Sequence, residues 1–222
     1  MKIIQSELLK IKMSYPSYLI LGFSVVEIIT ILPYLIFVKS SKALEAAIFF
    51  PMLAIAVIIS LTAILIYEQE EQANQFQVLI SERNGPKLWA AKILILDLML
   101  LLPTIGLWSL LYLVFKQDLF FTVGLVYWLL SVLLNHVHLL LTFLLGNSGN
   151  LIVAFIECLL IIFATNKVFL EMYWLPIALP INMILEPVDG YLVNLSILIS
   201  WIVFLFLVQI FLLKYSKMRI LK

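Results

Sequence analysis

Long apolar runs alternate along this chain with short polar clusters, and the runs have the length needed to cross a bilayer as helices. About 20 mostly apolar residues span the hydrocarbon core. Six such runs stand out: Tyr18 to Val38, Ala46 to Tyr67, Ile93 to Phe115, Phe121 to Leu145, Leu151 to Thr165 and Leu192 to Leu213. Clusters of Lys, Glu, Asn, Gly and Pro separate them, and no internal repeat relates them. The pattern predicts an all-α membrane protein with six transmembrane helices. The fifth run is short for a span, as expected of a helix that is tilted, begins earlier, or lies partly against protein.

Composition agrees, with 64% hydrophobic residues and a mean hydropathy of +1.16. Six spans occupy most of the 222 residues, so residues 1–222 read as a single transmembrane domain with no room for a soluble one. The net charge of +1 hides an asymmetry and points to no nucleic-acid partner. With the N-terminus inside, the inner segments hold Lys2, Lys10, Lys12, Arg83, Lys87, Lys92, Lys214, Lys217, Arg219 and Lys222, against Lys39, Lys42, Lys116 and Lys167 outside. That bias makes both termini cytoplasmic. The first apolar run is too long for a signal-peptide core and lacks a small-residue cleavage site, so it is expected to stay as a span. The single Cys158 cannot form an internal disulfide and does not report the compartment.

The polar segments carry the rest of the information. At the N-terminus, Ile3, Ile4, Leu8, Leu9 and Ile11 interleave with Lys2, Glu7, Lys10 and Lys12. This spacing suits an amphipathic helix in the inner interface, or a simple basic anchor. Pro16 marks the turn into the membrane. The one long polar stretch runs from Tyr67 to Lys92, between the second and third spans. Within it Glu68, Glu70 and Glu71 precede Phe76, Leu79 and Ile80, which share one helical face. A short helix exposing them can press into a groove on a cytoplasmic partner, or the stretch is a solvated connector dipping into the interface. Asn84-Gly85-Pro86 then supplies a turn, and Lys87, Trp89 and Lys92 mark re-entry.

Three features together resemble the membrane subunits of ABC-2-type exporters. They are the start Glu7-Leu8-Leu9-Lys10-Ile11-Lys12-Met13-Ser14, six spans with both ends inside, and a loop of the form E…FQxLIS…K after the second span. More narrowly, the chain is similar over essentially its whole length to the small permeases of lantibiotic immunity and bacitracin-type resistance. The resemblance implies an N-terminal elbow helix and a cytoplasmic coupling helix between spans 2 and 3, seated on a separate ABC ATPase present in two copies. Coupling would fall to Glu71, Gln75, Phe76, Leu79 and Ser81. The resemblance further implies a second identical or paralogous permease, a bacterial plasma membrane, and an antimicrobial peptide of the lantibiotic type as cargo. ATP and Mg would bind the partner ATPase, with no cofactor in this chain. The proline common after the Leu-Ser element in that family is delayed here to Pro86.

Ionisable residues within spans are costly and therefore candidates for function. Glu27, Asp97 and Glu157 are the three. Asp97 is expected to stay hydrated or to pair with Lys92. Glu27 and Glu157 either make hydrogen bonds between helices or face a polar cavity. His136 and His138 project about 200° apart on one helix, so one ion cannot take both, and together with Asn135 they are expected to bond neighbouring helices. Cys158 reads as a small buried residue. The outer segment from Asn166 to Tyr191 mixes Tyr173 and Trp174 with Glu171, Glu186 and Asp189. It is either a vestibule for an amphipathic ligand or an interfacial cap. No GxxxxGK[ST], HExxH or GxSxG segment occurs, so the chain reads as a transport subunit and not an enzyme. Its rivals are an ion-coupled secondary transporter using Glu27 and Glu157, and a membrane scaffold.

Overall fold

The computed structural model describes residues 2–38, 40–74, 76–77, 79, 84–166, 169, 172–185 and 190–220. Among them the chain is all α-helical, without a β-sheet. Helix α1 (Lys2–Lys12) leads into α2 (Tyr15–Phe37), α3 (Ser41–Asn74) and α4 (Gly85–Met99). A π-helical turn (Leu102–Gly106) and α5 (Leu107–Phe115) follow, then α6 (Asp118–Phe163), α7 (Leu179–Leu185) and α8 (Tyr191–Ile220). Five helical stretches are long and apolar enough to cross a membrane, so this is a multi-pass membrane protein.

Several helices outrun the apolar segments that announce them. At 1.5 Å per residue, the 34 residues of α3 extend ~51 Å, well beyond a hydrocarbon core of ~30 Å. Its polar end from Glu68 to Asn74 is the surplus. The third predicted span is α4 and α5 joined through the π turn. Pro103 has no N–H to donate to the ladder, and Gly106 N–H reaches back to the Leu101 carbonyl at 2.8 Å, the wider spacing of a π-bulge.

The fourth and fifth predicted spans lie in one 46-residue helical stretch, α6, interrupted at Gly146 with φ 72° and ψ −177°. That backbone region is essentially restricted to glycine, and a side chain there costs ~1–3 kcal/mol. The break folds α6 back on itself. His138 and Asn150, 12 positions apart, would be ~18 Å apart along a straight helix, yet their side chains meet at 2.7 Å. We call the two limbs α6a, before Gly146, and α6b, after it.

Helices α3 and α6 form the centre of the bundle. Ile55, Ile59, Tyr127, Leu130 and Leu134 are buried in the largest apolar cluster, with Trp108 of α5. Gly124 lets α5 approach, because a Cβ there would lie 2.7 Å from the Trp108 Cβ. Helix α8 packs Leu198 against Val126, Leu129 and Leu133. Helix α1 turns Glu7 and Ile11 inward, while Ile4, Leu8 and Leu9 stay exposed, a face suited to the lipid interface.

Candidate functional site

Polar side chains are concentrated in four places inside this apolar bundle, each joining helices far apart in sequence. The innermost lies where α1, α3 and α4 meet. Lys92 is 1% exposed. Its ammonium lies 3.5 Å from Glu7 Oε2 and makes a short ion pair with Glu70. Lys10 reaches Glu7 Oε1 at 2.6 Å. Asp97 therefore does not pair with Lys92. The two residues point about 140° apart on one helix, so Lys92 faces α1 and α3 while Asp97 faces α6.

Asp97 instead joins a second network. Its Oδ1 accepts from Asn135 Nδ2 at 2.8 Å, and its Oδ2 lies 3.4 Å from His136 Nε2. Gln209 of α8 donates to the His136 carbonyl at 2.8 Å and accepts from Trp89 Nε1 at 3.2 Å. Its amide nitrogen also faces His136 Nδ1 at 3.4 Å, which makes Nδ1 the acceptor and leaves the ring proton on Nε2, toward Asp97.

His138 turns the other way, into the α6 hairpin. Asn150 Nδ2 donates to the Ser60 carbonyl at 3.2 Å, so Asn150 Oδ1 is the acceptor for His138 Nδ1–H at 2.7 Å. The other ring nitrogen lies 2.7 Å from Glu157 Oε2, a contact too poorly aligned to count as a hydrogen bond.

Glu27 occupies the fourth place. The Tyr127 hydroxyl is 2.9 Å from Glu27 Oε1 and 2.9 Å from the Pro51 carbonyl, and Glu27 Oε2 is buried without a partner. Glu27 also lines a cavity of about 450 Å³ between α2 and α3. Glu27, Asn135, His136 and Glu157 are thus all buried within the bundle.

The loop between α3 and α4 is described in part. Leu79 is 3% exposed, packed beside Trp89, and Phe76 is half-buried, with ring centroids 4.9 Å from Tyr67 and 5.4 Å from Phe143. These two side chains pack against the chain's own helices. Apolar area buried within the chain explains the choice, and it holds Phe76 at a left-handed φ of 61°. Glu71 remains exposed, whereas Gln75 and Ser81 lie outside the described residues. So do Glu171, Glu186 and Asp189 of the outer segment, of which Trp174 is described and 69% exposed.

Sequence reasoning missed the partners: Tyr127, Asn150 and Gln209. Each is a polar residue on a helix of high hydropathy, the signal that could have found it. No protein-family model matches this chain, and no curated protein or solved structure is significantly similar to it. Fold and site alone define its class: a multi-pass, all-α membrane protein whose architecture is consistent with transport.

Proposed function

We propose that the chain is the permease subunit of an ATP-driven exporter of the ABC-2 type, crossing a bacterial plasma membrane six times with both ends in the cytoplasm. The fold-back at Gly146 supports the sixth crossing, and the basic bias supports the orientation. The observation that carries the reading is the buried Glu7–Lys92–Glu70 junction. It ties α1 to both helices flanking the loop from Asn74 to Gly85, so displacing that loop moves all three together. An elbow helix and a coupling loop need that linkage. The exposed acidic end of α3 around Glu71 is then the partner-facing surface, with Phe76 and Leu79 bracing it from beneath. A separate ATPase binds ATP and Mg, and a second permease completes the route. The cargo is a membrane-active cationic peptide, expelled outward to give immunity or resistance.

An ion-coupled carrier is the second reading, favoured by the close approach of two buried ionisable side chains, His138 and Glu157, at 2.7 Å. The first test is purification of the chain from its native membrane in mild detergent. An ATPase subunit should copurify in fixed ratio, and the charge reversal Glu71→Lys should reduce its recovery severalfold without reducing insertion. A wild-type chain that purifies with no nucleotide-hydrolysing partner would count against the permease.

A further inference from the structure

The cavity between α2 and α3 is apolar almost throughout, walled by Phe23, Ala47, Ala54 and Phe50, with Glu27 partway along it, between Phe23 and Tyr34. Its volume of about 450 Å³ lies within the range of small-molecule sites, about 300–1,000 Å³. Val26 and Phe50 on its walls are exposed on the outside of the bundle, so it opens sideways, toward lipid.

The polar groups around Glu27 are acceptors. Glu27 is 4% exposed, and one of its two carboxyl oxygens has no hydrogen-bond partner. The Thr30 hydroxyl donates its proton to the Val26 carbonyl at 2.8 Å, leaving only lone pairs toward the cavity. Pro51 has no N–H for the carbonyl of Ala47 one turn earlier in α3. The donor that contacts Glu27, the Tyr127 hydroxyl, has a single proton and already faces two acceptors. Among the described residues no basic side chain pairs with Glu27, unlike Glu7 and Glu70, which share Lys92.

A buried carboxyl flanked by acceptors, within an apolar slot open to lipid, is complementary to a compact cation with several N–H donors and an apolar body. We propose that this cavity binds a primary alkylammonium dissolved in the membrane, its three N–H donors directed at Glu27 and the Ala47 carbonyl and its alkyl chain lying between Phe23 and Phe50. The site stands apart from the energy source: the chain alone should bind, whether or not ATP drives transport.

The test uses the purified full chain in nanodiscs of zwitterionic phosphatidylcholine, with tritiated dodecylamine as probe and dodecanol as its uncharged counterpart. Dodecylamine should bind saturably above lipid partitioning and at least tenfold more tightly than dodecanol. Glu27→Gln should remove that preference by weakening the amine while leaving the alcohol unchanged. Ala54→Phe, which fills the slot, should abolish saturable binding of both. Equal affinity of the wild-type chain for amine and alcohol would overturn the proposal without any variant. So would undiminished amine binding by a folded Glu27→Gln chain, or the absence of saturable binding.

Discussion

Replacing Lys92 by methionine is expected to destabilise the protein by about 3–5 kcal/mol, because it leaves Glu70 buried without its cation and Glu7 with Lys10 alone. The loss follows from the uncompensated Glu70 carboxylate and not from the worth of the ion pair, since burying the charges already costs desolvation. The triple variant Lys92→Met, Glu7→Gln, Glu70→Gln should therefore recover most of the stability. Detergent-solubilised unfolding followed by tryptophan fluorescence suits the measurement, because Trp89 lies on the same helix and is buried. Release of α1 should accompany the loss, seen as faster proteolysis near Lys10 and Lys12. A Lys92→Met chain within about 0.5 kcal/mol of wild type, the range of ordinary surface changes, would mean that the junction does not hold α1.

The second large effect is expected in the α6 hairpin. His138→Ala removes the partner of Asn150 and the ring lying 2.7 Å from Glu157, and leaving a buried polar group without its partner typically costs about 1–3 kcal/mol. Glu157→Gln should behave differently. The change removes no aligned hydrogen bond to His138 Nε2, so stability should change by about 1 kcal/mol or less. In an ATP-driven permease this variant also keeps most of its transport, because the carboxylate need not change charge during the cycle. A stable Glu157→Gln chain that has lost all transport would instead favour the ion-coupled carrier.

Much of the fold was legible because lipid imposes so strong a pattern. The apolar runs lie mostly in helix, the third divided between α4 and α5 by the π turn, and the cluster Gly146-Asn147-Ser148-Gly149-Asn150 marks a boundary between two of them. The chain there stays helical except at Gly146, where one special φ/ψ pair makes the turn. Propensity and hydropathy do not encode that economy. The π turn was hidden too, since Pro103 in an apolar run announces a disturbance but not its register.

The site was half legible. Intramembrane charge singled out Glu27, Asp97 and Glu157, and helical geometry placed His136 and His138 on different faces, where they join separate networks. Their partners lie far away in sequence, with Tyr127 100 positions from Glu27 and Gln209 73 from His136. Only tertiary packing brings them together. Phe76 and Leu79 do turn toward the same apolar surface, but whether that surface belongs to a partner or to the chain's own Trp89 and Phe143 was not decided by periodicity.

The measurement closest to the central claim is transport of a labelled cationic lantibiotic-type peptide in sealed proteoliposomes, comparing the chain alone with the chain and its copurified ATPase. Transport should require the ATPase and ATP, and it should persist when an ionophore collapses the proton gradient. Transport by the chain alone, driven by a pH step without nucleotide, would contradict the permease and identify a proton-coupled carrier.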